Sequence, residues 1–293
     1  MHQPPDSPFR VAFDGQPDWP RAHRPPADAP GRKDLKRQLA DEIERMRPLH
    51  RKLYADDRFS VLVVFQALDA AGKDGTIRAV FSGLNPAGCA VHSFKKPSSN
   101  ELDQDFLWRC SQRAPQRGRI GVFNRSYYEE VLVVRVHPEL LQYQRLPDAE
   151  PTPAFWAERM ESIRSFERHL ASQGTVILKF FLNVSRQEQA ERLVARIDDP
   201  DKNWKFEPGD VKERAFWGDY QDAFRDALGE TSRPWAPWYA IPADDKPFMR
   251  LQVARTLRRT LESLPLQWPA PDADALAGLQ RWRDQLTRDG DGA

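Results

Sequence analysis

Val61-Leu62-Val63-Val64-Phe65-Gln66-Ala67-Leu68-Asp69-Ala70-Ala71-Gly72-Lys73-Asp74-Gly75-Thr76-Ile77 carries an apolar strand straight into a Gly-Lys loop that opens a helix. Such a loop turns backbone N–H groups toward one point, where the positive end of the helix dipole and a lysine ammonium together suit an oligophosphate. The residues from Ala70 to Thr76 (Ala70, Ala71, Gly72, Lys73, Asp74, Gly75 and Thr76) are therefore the expected phosphate cradle. The match to G-x-x-x-x-G-K-[ST] has two departures: Ala67 stands at the first Gly, and Asp74 replaces the hydroxyl residue that normally holds Mg²⁺. Losing that hydroxyl removes one ligand, while Asp69 and Asp74 add two carboxylates of the kind a hard cation accepts. Taken alone, Ala-Ala-Gly-Lys also fits an ordinary strand-to-helix turn, so a second motif has to decide.

That motif is Ile120-Gly121-Val122-Phe123-Asn124-Arg125-Ser126-Tyr127-Tyr128-Glu129-Glu130, an apolar strand with polar residues at its carboxyl end. In a parallel sheet the ligand crevice lies beyond the carboxyl ends of the strands, so Asn124 and Arg125 are expected to share the space of Asp69 and Lys73. Asn124 offers a neutral metal or water ligand, and Arg125 a planar fork for phosphate oxygens. Ser126 with Glu129 also reads as a helix cap, which is compatible with a site.

Around these loops, apolar runs alternate with helical patterns. Strands are expected at 61–65, 90–94, 120–123, 175–182 and 238–241. Helices are expected at 35–53, 76–84, 102–113, 127–134, 154–172, 187–197, 211–228 and 248–263, with Pro48 kinking or breaking the first near its end. The pattern predicts an α/β fold with a parallel sheet covered on both faces. The face of the 154–172 helix is drawn through Phe155, Met160, Ile163, Phe166 and Leu170, and Trp217 and Tyr220 are read as core or interface rather than base-stacking platforms. Lys179, inside an apolar strand, is expected to snorkel from the strand's end to water, because an unpaired buried ammonium is costly. Neither His92 nor His137 has metal-ligand spacing with another His or Cys. Eight prolines in the first thirty residues forbid regular helix and predict an extended arm, 1–31, ahead of a domain over 32–264 and a tail over 265–293.

With 293 residues, Cys89 and Cys110 as the only cysteines, no apolar run long enough for a bilayer and no apolar signal core near Met1, the expected setting is a reducing cytoplasm, with no membrane partner. A net charge of +1 supplies no global field for a polyanion, and no nucleic-acid partner is expected. Charge is nevertheless uneven: nine basic residues against four acidic ones lie between Lys73 and Arg125. Among them, Lys95, Lys96, Arg109 and Arg113 are expected to line an anion path. The polar stretch Arg196-Ile197-Asp198-Asp199-Pro200-Asp201-Lys202-Asn203-Trp204-Lys205-Phe206 reads as a lid, about 196–220, whose Arg196, Lys202 and Lys205 neutralise transferred charge on closing.

The loop Ala67 to Gly75, Lys95-Lys96-Pro97-Ser98 with Glu101, the segment Gly118 to Val136 and the stretch Arg196 to Tyr220 together resemble the polyphosphate kinase 2 family, over about Leu35 to Leu264. Asn124 and the run Glu129-Glu130-Val131-Leu132-Val133-Val134-Arg135-Val136-His137 are closest to the class III subgroup, whose members phosphorylate AMP and ADP. The resemblance implies a P-loop kinase-like three-layer α/β/α sandwich with a five-stranded parallel sheet and a helical lid. It also implies Mg²⁺ as cofactor, inorganic polyphosphate, AMP, ADP and ATP as partners, and a homodimer or tetramer. Catalytic roles then fall on Asp69, Lys73, Asn124, Arg125 and Glu129: Asp69 and Asn124 for the metal, and Glu129 for acceptor choice. An ATP-dependent nucleotide kinase on the same scaffold and a non-catalytic phosphate or nucleotide sensor stay open as alternatives.

Overall fold

Five strands, β1 (Ser60–Gln66), β2 (Cys89–Ser93), β3 (Ile120–Asn124), β4 (Thr175–Asn183) and β5 (Trp238–Pro242), pair in parallel in the order β2-β3-β1-β4-β5. This computed structural model describes residues 1–13, 22–147 and 149–290. The three-layer α/β/α sandwich expected from the resemblance is present. β1 and β4 are buried along their whole lengths, which is why they read as continuous apolar runs rather than alternating ones. β2 is an edge strand with Val91 about half exposed.

One face of the sheet packs Val61, Val63, Phe65, Val122, Leu178, Phe180 and Ile241 against α1 (Arg32–Asp56), α2 (Lys73–Phe81) and α10 (Lys246–Ser263). The other packs Leu62, Val64, Phe123, Ile177, Phe181 and Trp238 against α6 (Pro153–Ser172), α9 (Trp217–Thr231) and the 3₁₀ turn Tyr127–Val131. Between β2 and β3 lie α3 (Ser99–Leu102) and α4 (Trp108–Ser111); α5 (Val133–Val136) follows the 3₁₀ turn. After β4 come α7 (Arg186–Asp198) and α8 (Pro208–Glu213), and α11 (Ala273–Gly290) is the last element among the described residues.

Four local expectations are corrected. α1 continues through Pro48 to Asp56, because Met46, His50 and Leu53 on both sides of the proline are buried and α1 packs along α10. The helix expected over 102–113 is two short turns; Asp103 ends the first, and the Asp105 carboxylate, accepting from the Leu107 N–H, holds the chain in a turn between them. The helix expected over 127–134 is the 3₁₀ turn followed by α5. Lys179 is not at water: fully buried in β4, its ammonium contacts Glu167 of α6 at 2.6 Å and donates to the Tyr128 hydroxyl and the Thr231 carbonyl, both at 2.9 Å. Glu167 also accepts from the Tyr127 and Tyr128 hydroxyls at 2.8 and 2.9 Å, so the charge the sequence could not place is paired rather than snorkelled.

The N-terminal arm lies along β5: Ala240 N–H donates to the Phe9 carbonyl at 2.8 Å and Val11 N–H to the Trp238 carbonyl at 2.9 Å. The central topological result is that β1 and β3 are neighbours, with Phe65 opposite Asn124. The loops that follow both strands open at the same end of the sheet.

Candidate active site

The chain leaves β1 at Gln66 and turns back through Ala70 at φ +60° and Gly72 at φ +105° before α2 begins at Lys73. Ala70 occupies the left-handed region at a steric cost, a sign that its surroundings over-determine it. Those surroundings are on α7. The buried Arg192 donates to the carbonyls of Ala70 (3.2 Å) and Ala71 (2.7 Å), and to those of Ala243 (2.6 Å) and Asp244 (3.1 Å) beyond β5. With the loop carbonyls bound on that side, the first-turn N–H groups of α2, which no helical carbonyl can reach, are left for an anion. Lys73 reaches back over the loop, its ammonium 2.8 Å from the Ala67 carbonyl and 3.4 Å from that of Leu68. Desolvation, aided by the nearby Arg125 guanidinium, pushes its pKa down to about 8 against the pull of Asp69, Glu129 and Asp74.

β3 delivers the other half. Arg125 also has a positive φ, +63°, and its N–H donates to the Phe65 carbonyl of β1 at 3.1 Å, which locks the two loops together. Its guanidinium spans two carboxylates, Asp69 at 2.7 Å and Glu129 at 3.0 Å. The Glu129 charge first, then that of Asp69, keeps Arg125 protonated well above any working pH. Glu129 in turn accepts from the buried Gln66 amide at 3.1 Å, and Asn124 donates to Asp74 at 2.7 Å. Asp69, Lys73, Asp74, Asn124, Arg125 and Glu129, drawn from two motifs, thus form one contiguous group.

The other expected residues are placed less uniformly. Thr76 is turned away from the cradle: it is fully buried, its N–H donates to the Gly72 carbonyl and its hydroxyl faces the Met249 sulfur at 3.9 Å, because the first turn of α2 packs on α10. Lys95 and Lys96 are exposed just past β2, where Ser93 lies opposite Asn124. Arg109, half-buried, braces that corner, donating to the Lys95 carbonyl at 2.7 Å with its guanidinium over the Phe94 ring. Arg113 is exposed near His92, whose pKa is lowered by burial and then by that charge.

In the segment expected to act as a lid, Arg196 is paired with Asp210 at 3.0 Å and Lys202 with Asp199. The side chain of Lys205 lies outside the described residues. A cleft beside Asp69, Arg125 and Glu129 is walled by Leu132, Val133, Asp210, Glu213, Arg214 and Trp217. Tyr220 and Trp217, expected in the core or at an interface, both line this cleft, Tyr220 buried with its hydroxyl on Glu213 at 2.8 Å and Trp217 half-buried.

The sequence reading missed Gln66, Gln189 and Arg192. Gln66 had a signal, being the one polar residue at the end of an apolar strand aimed at the crevice. Arg192 and Gln189 had none beyond lying on the inner side of an amphipathic helix.

The residues present suit Mg²⁺. Asp69, Asp74 and Asn124 are hard oxygen donors beside the phosphate cradle, and Mg²⁺ is commonly held by one or two carboxylates with water and substrate phosphates completing its shell. No group of three or more His, Cys, Asp or Glu poised to hold a metal occurs among the described residues, which is compatible with a cation that draws most of its ligands from substrate.

A phosphate loop between β1 and α2, facing an Asn-Arg loop on the adjacent strand, defines a kinase of the P-loop class. The Polyphosphate kinase 2 (PPK2) family matches residues 30–267, and the chain belongs to that family. It is 52% identical over 251 residues to the ADP-polyphosphate phosphotransferase of Rhodopseudomonas palustris, covering 85% of this chain and 87% of that one. It is 47% identical over 234 residues to the AMP/ADP-polyphosphate phosphotransferase of Meiothermus ruber, covering 80% and 84%. The crystal structure of polyphosphate kinase 2 from Arthrobacter aurescens TC1 matches with a TM-score of 0.80 at 36% identity, over 92% of this chain and 98% of that one.

Proposed function

We propose that this protein moves the terminal phosphoryl group of inorganic polyphosphate to AMP and to ADP by direct in-line transfer with Mg²⁺. The observation that carries the reading is the Asp69–Arg125–Glu129 chain of ion pairs, which joins the phosphate loop to the residue tied by resemblance to acceptor choice. Support comes from the relatives in Rhodopseudomonas palustris and Meiothermus ruber, whose names specify polyphosphate and ADP or AMP/ADP.

In the reaction, an oxygen of the nucleotide phosphate forms a bond to the terminal phosphorus. The bond to the bridging oxygen of the polymer breaks, its electron pair leaving on the shortened chain. The attacking oxygen is already ionised near neutral pH, so no strong base is demanded, and positioning with charge neutralisation supplies the catalysis. Lys73 and the N–H groups opening α2 hold the phosphates, Arg125 faces the developing charge, and Glu129 orients both Arg125 and the acceptor. Lys95 and Lys96, with Arg109 and Arg113 supporting that side, guide the donor, and Arg196, Lys202 and Lys205 act from the lid. Asp69, Asn124 and Asp74 would hold Mg²⁺, which supplies neutralisation of phosphate charge. The working unit is residues 32–264, and we place it in the cytoplasm as a homodimer or tetramer; no helix among the described residues is long and apolar enough to cross a membrane.

The test is incubation with Mg²⁺, polyphosphate and AMP, without ATP, following ADP and ATP over time. The expected result is sequential formation of both, with Asp69→Ala and Lys73→Ala folded but inactive. Transfer that needs ATP and ignores the polymer, or binding without product, refutes the reading.

A further inference from the structure

Gln189 sits on the inner side of α7, buried, at the foot of the outgoing leg of the lid segment. Its two ends do different things. The amide nitrogen donates to the backbone carbonyl of Asp69 at 3.0 Å, and the amide oxygen accepts from the Arg214 guanidinium at 2.5 Å. Arg214 belongs to the 3₁₀ turn Arg214–Phe216 between α8 and α9, on the returning leg, and is held there by exchange with Arg186: it donates to the Arg186 carbonyl at 3.1 Å and accepts at its own carbonyl from Arg186 at 3.4 Å.

A carbonyl only accepts and a guanidinium only donates, so the group between them must donate at one end and accept at the other. A side-chain amide does this. A glutamate fails at the Asp69 end, and a methionine fails at both. The carbonyl gripped by Gln189 belongs to the peptide that leads into Ala70, the strained residue of the loop, while the Asp69 carboxylate meets Arg125 at 2.7 Å. That carbonyl and the Asp69 side chain branch from the same Cα, so Gln189 anchors the backbone that carries the carboxylate and links it to the leg of the lid.

We propose that Gln189 is a positioning residue that ties the returning leg of the lid, through Arg214, to the Asp69 peptide of the phosphate loop. Transfer rate then depends on it while acceptor affinity does not, because a small misplacement of a positioned group costs rate steeply. The inference rests on the polyphosphate kinase reading and fails separately from it: if the unaltered protein makes no ADP from AMP and polyphosphate, that reading fails, whereas the present one is judged only against an active wild type.

The experiment measures kcat and KM for AMP, with polyphosphate and Mg²⁺ saturating, for Gln189→Glu, Gln189→Met, Arg214→Met and the Gln189→Met/Arg214→Met double variant. Expected is a loss of kcat of about tenfold or more in each Gln189 variant, with KM within about twofold. Gln189→Glu should lose rate although it keeps its partner Arg214. The double variant should be no slower than the slower single, since both changes cut one link. Gln189→Glu turning over at the wild-type rate, single losses that multiply in the double, or a KM that rises as far as kcat falls would each overturn the proposal. Should Gln189→Met fail to fold, Arg214→Met carries the test, and a normal kcat there is equally fatal.

Discussion

Replacing Lys179 with methionine separates a buried ion pair from the sheet it sits in. Lys179 and Glu167 are essentially inaccessible, 2.6 Å apart, and the ammonium spends its other donors on Tyr128 and Thr231. Removing one member of such a pair strands the other charge, at a cost of about 3–5 kcal/mol. The two tyrosine hydroxyls that still donate to Glu167 place the expected value toward the lower part of that range. At about 2–4 °C per kcal/mol for a domain of this size, the thermal midpoint should fall by about 6–20 °C. The decisive comparison is Lys179→Met/Glu167→Gln. Its neutral amide still accepts from both tyrosines and no charge is left unpaired, so most of the loss should be recovered. Circular dichroism melts of wild type, single and double variants read this directly. A single variant within about 1 kcal/mol of wild type, or a double no more stable than the single, would show that the pair is not the stabilising unit described.

Two further outcomes follow from the loop itself. With Lys73 in its proposed role as a phosphate-holding cation, its pKa of about 8 means that kcat/KM for AMP should fall as pH rises through about 8; a profile flat to pH 10 contradicts that role. The sign for stability is opposite: between about 8 and the usual lysine value of 10.5 the unfolded chain binds more protons than the folded one, so this group makes folding more favourable as pH rises, detectable as a Lys73→Met difference in denaturant midpoints. Arg192→Met leaves the carbonyls of Ala70, Ala71 and Ala243 without their buried donor and should destabilise by about 2–4 kcal/mol while cutting turnover more than it raises KM; a urea titration and steady-state kinetics test both.

The parts of the fold legible in sequence are those where one physical requirement dominates. β1 and β4 read plainly because burial on both faces demands apolar residues throughout. The pairing of the two loops was legible because only neighbouring strand ends make sense of Asp69, Lys73, Asn124 and Arg125 together. Lys179 was misread because its partner lies on another element. A trace was present nonetheless: α6 buries Trp156, Met160, Ile163, Glu167 and Ala171, so Glu167 falls in step with the core residues. The face drawn through Phe155, Met160, Ile163, Phe166 and Leu170 caught Met160 and Ile163 of that stripe but turned away from it at Phe155, Phe166 and Leu170, and the charge within it went unnoticed. Pro48 misled because a local penalty is overridden when residues on both sides of it are buried. Arg192 and Gln189 bind backbone carbonyls, and a carbonyl has no signature in the sequence.

The two lateral margins of the sheet differ in kind. β2 ends one side as a strand largely open to solvent and carrying His92 and Ser93, whereas β5 is apolar and buried, and the proline-punctuated N-terminal residues satisfy its outward groups. A shortened protein beginning near residue 30, where the family match starts, would strip that cover and present Trp238 to Pro242 as an unguarded template. Such a species should stick to its own kind side by side, which gives a stretch with no assigned chemistry a protective task.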